Sequence, residues 1–135
     1  MILDKSNLFS EDQAITVTAN STNVIDLGSA DDMGPGTVKE IWIQATEAFT
    51  ADGAATLTVS LTTDDSAAMS SATTLYTSAA IGKASLVAGY KIPIRGLPTG
   101  AERYLRLTYT VATGPMTAGK ISAGIVNARQ ENVNF

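Results

Sequence analysis

Few side chains in this sequence could move protons or bind metals. The chain has no histidine and no cysteine, which excludes imidazole-based triads, thiol nucleophiles, disulfides and His/Cys metal sites. Two pairs of adjacent carboxylates remain, Asp31-Asp32 and Asp64-Asp65. Consecutive strand residues point to opposite faces, so neither pair makes a catalytic dyad by itself. Because both pairs flank loops rich in Gly, Ser or Pro, we expect them to cap turns; calcium binding is the alternative, although no EF-hand spacing is present.

Glycine-rich and aromatic segments give no specific ligand signal. Gly34-Pro35-Gly36-Thr37 precedes a predicted strand, so it lacks the helix N-terminus that phosphate-binding loops use. Aromatic residues on strands are more often packing residues than platforms for sugars or bases. Those on the predicted strands are Trp42, Tyr76, Tyr90, Tyr104 and Tyr109. We assign no catalytic, cofactor-binding or metal-binding residue, and we expect that the protein is not an enzyme.

Composition bounds the class of protein. The 135 residues are the size of one domain. Nine basic and thirteen acidic residues give a net charge of −4, which argues against nucleic-acid binding because phosphate neutralisation needs clustered Lys and Arg. We expect no membrane partner, since no stretch approaches the ~20 apolar residues of a span and the first residues lack a signal peptide's apolar core. Ala, Thr, Ser and Gly supply 60 of the 135 residues, and their short side chains favour flat contact with another protein.

The alternation of apolar and polar residues with a period of two predicts the strands that must position these residues. In Ala55 to Thr63, apolar residues fall on one face and hydroxyl residues on the other, which predicts a half-buried strand. Clear strands are predicted at 38–45, 55–63, 103–111 and 120–128, and weaker ones at 14–19, 23–27, 73–79 and 90–94. Turn residues separate them, as in Gly96-Leu97-Pro98-Thr99-Gly100. This spacing predicts an all-β antiparallel sandwich of seven or eight strands.

The two ends of the chain do not fit this pattern. Residues 1–13 mix apolar and charged side chains without a period, and residues 130–135 form a polar tail that ends in Val133 and Phe135. Each end is interpreted either as a frayed terminus or as an arm that docks on a neighbouring subunit. The predicted organisation is therefore an N-terminal arm at 1–13, a sandwich domain at 14–129 and a C-terminal tail at 130–135.

The order of motifs resembles that of a known family. The motifs are Leu8-Phe9-Ser10-Glu11-Asp12-Gln13-Ala14, Ser21-Thr22-Asn23-Val24-Ile25-Asp26-Leu27-Gly28, Ile41-Trp42-Ile43, Ala55–Asp65, Leu97-Pro98, Arg103–Tyr109 and Thr117–Ile125. Their order over nearly the whole chain is similar to that of the small capsid cement proteins of tailed phages, of the type found in a Bordetella podophage. Each motif alone is unspecific.

The resemblance implies a jelly-roll sandwich that binds the outside of an HK97-fold capsid shell. It further implies homo-oligomers, often dimers, that bridge neighbouring major capsid proteins, with no enzymatic activity and no cofactor. The expected location is the exterior of the virion capsid, after synthesis in the cytoplasm of the bacterial host. The family has no catalytic motif or contact residue to transfer.

Candidate partner contacts therefore come from the residues themselves. Trp42 lies opposite Ile41 and Ile43, so its face is either covered by another layer or is a contact surface. The predicted contacts are Leu3, Leu8, Phe9, Trp42, Arg103, Arg106 and Phe135. The alternative function is a carbohydrate-binding or adhesin module of a phage particle, since jelly rolls also bind sugars. It requires exposed coplanar aromatic residues, for which Trp42, Tyr90 and Tyr104 are the candidates. An enzyme would require a pair of carboxylates that converge in a cleft.

Overall fold

The chain folds into an antiparallel β-sandwich. A computed structural model describes residues 4–28, 39–94 and 96–126. Within them, a short 3-10 helix at Lys5–Asn7 precedes nine strands. The strands are β1 (Leu8–Ala14), β2 (Ala19–Asn20), β3 (Ile25–Asp26), β4 (Glu40–Thr50), β5 (Thr56–Asp64), β6 (Thr73–Thr77), β7 (Ile81–Gly82), β8 (Tyr104–Ala112) and β9 (Ala118–Val126). The predicted all-β sandwich is confirmed. No helix in the described part of the chain is long and apolar enough to cross a membrane.

The strands form two sheets. The first sheet has the order β1-β9-β4, and the second has the order β2-β8-β5-β6, with β3 also pairing with β8 and β7 with β5. The ladder between β5 and β8 is continuous from Thr56↔Ala112 to Asp64↔Tyr104. The chain passes back and forth between the sheets, so most paired strands are distant in sequence, although β5 and β6 are consecutive. This is the double Greek-key connectivity of a jelly roll.

The outer edge of β4 is covered by an irregular segment rather than by a strand. Residues 86–92 hydrogen-bond to it: the Ala45 amide donates to the Tyr90 carbonyl at 2.9 Å, and the Ile92 amide donates to the Ile43 carbonyl at 2.9 Å. The strand predicted at 90–94 is therefore reduced to a single bridge between Gln44 and Lys91. Of the other weak predictions, 23–27 and 73–79 correspond to the strands β3 and β6, whereas the strand predicted at 14–19 is wrong, because residues 15–18 connect β1 to β2 without strand structure.

The core lies between the sheets and follows the period-two pattern. In β5, Leu57, Val59 and Leu61 are fully buried, while the alternate hydroxyl residues face outward. Fully buried partners from the other elements include Phe9, Ile15, Ile41, Ile43, Leu86, Ile92, Leu105, Leu107, Tyr109 and Ile121. At ~1.5–3 kcal/mol for each large apolar side chain, such burial is the main stabilising contribution to the fold.

The predicted N-terminal arm is wrong for residues 8–13. These residues form β1 at the edge of the first sheet, and Phe9 is fully buried in the core. Register shifts between Leu8 and Ser10 and between Ser10 and Gln13 interrupt the ladder with β9. Asp12 also has a positive φ of 45°. These irregularities remove the alternation by which a strand is recognised. Residues 1–3 and the tail at 130–135 lie outside the described residues.

Candidate partner-binding surface

The outer face of the second sheet carries an array of hydroxyl groups. We call it the hydroxyl face; it consists of Thr56, Thr58, Ser60, Thr62, Thr77, Thr108 and Thr110. Alternation places these side chains outward because their neighbours in β5 and β8 fill the core. Several hydroxyls bond within the sheet: the Thr62 hydroxyl donates to the Arg106 carbonyl at 3.1 Å, and the Ser60 and Thr77 hydroxyls lie 3.2 Å apart. These hydrogen bonds fix the positions of the side chains on the hydroxyl face.

Arg106 lies within the hydroxyl face, opposite Thr62. Its Nε atom is buried and has no hydrogen-bond partner. Among the described residues, no carboxylate forms an ion pair with this guanidinium. Arg106 thus brings a positive charge to the hydroxyl face, and no described residue forms an ion pair with it.

Arg103 has a different environment, although the sequence places it only three positions away. Its Nε and terminal nitrogen donate to the two carboxylate oxygens of Asp26 at 2.9 and 3.1 Å. Its guanidinium also lies 5.1 Å from the centre of the Tyr104 ring. Hydrogen bonding by Arg103 lowers the pKa of Asp26, and the same bond raises the pKa of Arg103. Arg103 therefore joins β3 to the start of β8, and the structure separates it from Arg106.

Trp42 lies on the outer face of the first sheet, in a row with Gly124 and Leu8. A Cβ atom at Gly124 would be 2.8 Å from Leu8 Cδ2, so Leu8 packs directly on the glycine. Trp42 is only 5% exposed, and Val126 is similarly buried. Trp42 Nε1 is buried without a hydrogen-bond partner. Of the two interpretations offered for the Trp42 face, a covered layer is the one observed.

Of the remaining predicted contacts, Leu8 shares its row with Trp42, whereas Phe9 does not reach the surface. Phe9 is enclosed in the core and cannot contact a partner in the folded chain, because β1 belongs to the sandwich. Leu8 is half-buried beside a shallow groove of about 270 Å³ that Lys5 and Glu11 also line. Leu3 and Phe135 lie outside the described residues. Among the described residues, the predicted contacts therefore do not form one surface.

The aromatic candidates for a sugar platform are not arranged for that purpose. Trp42 is buried. Tyr90 is half-buried and packs against the core, and its carbonyl accepts the Ala45 amide. Tyr104 is half-buried with Arg103 against its ring. No specific observation favours the carbohydrate-binding alternative.

Two buried polar groups have structural roles. The Tyr109 and Ser10 hydroxyls are 2.7 Å apart and join β8 to β1, which belong to different sheets. Burial raises the pKa of Tyr109, and the bond to Ser10 opposes this only in part.

Asp64 is almost fully buried at the end of β5 and accepts the Ser71 amide at 2.8 Å and the Ser66 amide at 3.2 Å. These bonds, that of Ser71 first, lower the pKa of Asp64.

Asp64 therefore closes the β5–β6 loop, as the turn-capping interpretation expects. Within the described residues no group of three or more Asp or Glu side chains could hold a metal ion. The other pair, Asp31-Asp32, lies outside the described residues. The hydroxyl face was missed as a candidate surface, although the alternation in 55–63 assigns its members to one side of a strand.

The fold and these surfaces define a small jelly-roll protein whose candidate contacts lie on the outer sheet faces. A family model, Bbp16, matches residues 9–125. The chain therefore belongs to the Bbp16 family, a family of Bordetella bacteriophage proteins. The match begins at the second residue of β1 and ends one residue before the end of β9, so it covers nearly the whole sandwich. No curated protein matches the chain.

Proposed function

We propose that this chain is a virion structural protein that binds the outer surface of an HK97-fold capsid shell and cements neighbouring capsomers against internal pressure. The observation that carries the proposal is the match to a bacteriophage protein family over nearly the whole sandwich. The motif order that resembles phage cement proteins supports the narrower role. The protein acts as a homo-oligomer, with a dimer favoured, on the exterior of the virion.

The sandwich has the mechanical properties that such a role requires. A protein that bridges shell subunits must transmit load without deforming. The nine-residue ladder between β5 and β8 and the buried bond between Tyr109 and Ser10 tie the chain together within and between the sheets. Because many copies act on one shell, a few kcal/mol of binding free energy per copy sums to a large stabilisation.

The proposed role is not enzymatic and needs no cofactor, nucleic acid or membrane. It rests on binding alone, which suits a chain without histidine or cysteine and with a net charge of −4. The hydroxyl face offers a contact surface of the kind that binding requires. Its side chains are short, so little side-chain entropy is lost when they are covered.

The test is attachment to particles. Capsids assembled without this protein are mixed with the purified chain and sedimented, and their resistance to heat-induced rupture is then compared with that of untreated capsids. The proposal expects saturable co-sedimentation and a higher rupture temperature. Capsids that neither retain the chain nor gain heat resistance would refute it. Binding to glycans on an array, with no attachment to capsids, would instead indicate the adhesin alternative.

A further inference from the structure

The loop between β4 and β5 carries the dipeptide Asp52-Gly53. Both residues are exposed and lie in a bend that connects the first sheet to the second. Even a Cβ atom at Gly53 would come no closer than 3.7 Å to the Thr113 carbonyl oxygen, its nearest described neighbour. No described residue accepts a hydrogen bond from the Gly53 amide. The Asp52 carboxyl group and the amide nitrogen that follows it are therefore accessible to each other and to water.

An aspartate that precedes glycine can rearrange without an enzyme. The Gly53 amide nitrogen attacks the side-chain carbonyl carbon of Asp52, a C–N bond forms, and the amide proton leaves with a carboxyl oxygen as one molecule of water. The product is a five-membered succinimide ring. One water then adds back and opens the ring. When it breaks the bond between the nitrogen and the former main-chain carbonyl carbon, the chain continues through the side-chain carboxyl group as isoaspartate. Glycine favours the reaction because it has no Cβ atom to obstruct the attacking nitrogen.

We propose that Asp52 is a site of spontaneous isoaspartate formation in the folded protein, and that the fold protects the other described positions whose sequence favours the same reaction. This chemistry is independent of the proposed function, because it needs no partner. It depends only on the local sequence, on exposure and on whether the attacking amide nitrogen is already engaged in a hydrogen bond.

The protected positions are Asp65 and Asn20. Both are exposed, and each precedes a serine. At the first position, the Ser66 amide donates to an Asp64 carboxylate oxygen at 3.2 Å. At the second, the Ser21 amide donates to a main-chain carbonyl oxygen of β8 at 2.8 Å. An engaged amide must first break its hydrogen bond before its nitrogen can attack, so folding slows the reaction at these two positions and not at Asp52.

Lys83 holds the two ends of the reactive loop. Its Nζ donates to the Ala51 carbonyl oxygen, and its amide donates to the Ala55 carbonyl oxygen at 3.1 Å. Ala55 is itself buried in the core. The methylene group that isoaspartate adds to the main chain therefore falls between two held points, and the strands need not move to accept it.

The experiment follows isoaspartate in the full-length protein, kept for weeks at neutral pH and physiological temperature, either folded or in guanidinium chloride. Trypsin releases residues 40–83 as one peptide that contains both Asp52 and Asp65, and electron-transfer fragmentation locates isoaspartate within it. A second peptide reports on Asn20. Folding should slow the reaction at Asp65 and Asn20 at least about tenfold, equivalent to about 1.4 kcal/mol in activation free energy. The rate at Asp52 should stay within about threefold of its unfolded value.

Variants of the dipeptide test the chemistry. Gly53→Ala fits the loop, because its Cβ meets only ordinary contacts and φ lies outside the left-handed region; it should slow the reaction about tenfold. Asp52→Glu keeps the charge but requires a six-membered ring, and it should abolish the reaction. Asp52→Asn releases ammonia in place of water and should react faster than the wild type. Gly82→Ala is the matched control: its Cβ meets nothing within 4 Å, and it should leave the rate unchanged.

Two results would overturn the proposal. Absence of isoaspartate at residue 52 of the folded chain would mean that the loop holds the amide nitrogen away from the carboxyl group. Equal rates at Asp65 and Asn20 in the folded and unfolded chains would mean that the hydrogen bonds of the following amides give no protection. Circular dichroism confirms that each variant is folded before the rates are compared.

Discussion

The bond between Tyr109 and Ser10 offers the most direct test of how the two sheets are held together. The hydroxyls are 2.7 Å apart, and Ser10 also lies 2.7 Å from Gln13 Oε1. Tyr109→Phe removes one partner but leaves Ser10 bonded to Gln13, so the cost should be near the usual net value of about 1 kcal/mol. For a chain of 135 residues, that corresponds to a fall in Tm of about 3–4 °C.

The partner substitution should cost more. Ser10→Ala leaves the phenol of Tyr109, which is fully buried, without an acceptor or donor, and an unsatisfied buried group costs about 1–3 kcal/mol. The double variant should be less destabilised than the sum of the two single variants, because both remove the same bond. Urea unfolding followed by the fluorescence of Trp42, the single tryptophan, measures all four proteins.

The pH dependence gives an independent check. Burial raises the pKa of Tyr109 in the folded state above its ordinary value of about 10. The stability that this shift represents is therefore complete below pH ~10 and is lost as the pH rises further, because the unfolded chain loses the proton first. By pH 11 the free energy of unfolding of the wild type should have fallen by up to about 1.4 kcal/mol relative to that of Tyr109→Phe. This fall offsets the lower stability of the variant at neutral pH. A stability difference that does not change across this range would refute the assignment.

Three further substitutions test the rest of the framework. Phe9→Ala should destabilise the chain by roughly 3–5 kcal/mol in urea unfolding, because Phe9 is a core residue and not part of an arm. Gly119→Ala should lower the Tm by an amount equivalent to roughly 1–3 kcal/mol, since a Cβ there would lie 2.4 Å from Phe49 Cδ1 at a φ of +144°. Asp64→Asn should speed hydrogen exchange in the β5–β6 loop, whereas Asp65→Asn should not. Because the pKa of Asp64 is lowered, the loop of the wild type should stay protected from exchange above pH ~4. This protection should fade as the pH falls below that value.

Matched controls separate these effects from general loss of stability. Lys5→Ala alters an exposed residue near β1 and should stay within about 0.5 kcal/mol of the wild type. Gly82→Ala places a Cβ where nothing lies within 4 Å and should be similarly neutral. If Phe9→Ala were as mild as Lys5→Ala, the assignment of β1 to the sandwich would be wrong.

Much of the fold could be predicted from the alternation of apolar and polar residues, because four long strands show this alternation. The predictions at 38–45, 55–63, 103–111 and 120–128 correspond to β4, β5, β8 and β9. The prediction for β4 ended five residues early, since register shifts after Ala45 break its pairing with β9 and with it the alternation. β1 was missed for the same reason. A strand with irregular pairing can be predicted only when its partner strand is known, and the sequence of a single strand does not identify that partner.

The candidate site could be predicted only in part. The sequence identified Arg106 as a candidate contact but grouped it with Arg103, and only the three-dimensional position of Asp26 distinguishes the two. Likewise, the position of Trp42 opposite Ile41 and Ile43 was visible, whereas its burial depends on packing on the outer side of the sheet. Charge pairing across a sheet follows from topology, which local sequence does not specify.

The edges and the faces of the two sheets differ in how accessible they are to a partner protein. On the first sheet, the outer edge of β4 is bonded to residues 86–92, and the outer edge of β1 is bonded at Phe9 by the Asn23 amide. Strand addition there would first have to displace the chain's own segments. In the second sheet the hydroxyl face needs no displacement, and none of the described residues forms an ion pair with Arg106 on it. Binding through a face also leaves the hydrogen bonds between strands intact. A molecule bound in this way can therefore carry a mechanical load between two partners without losing its strand pairing.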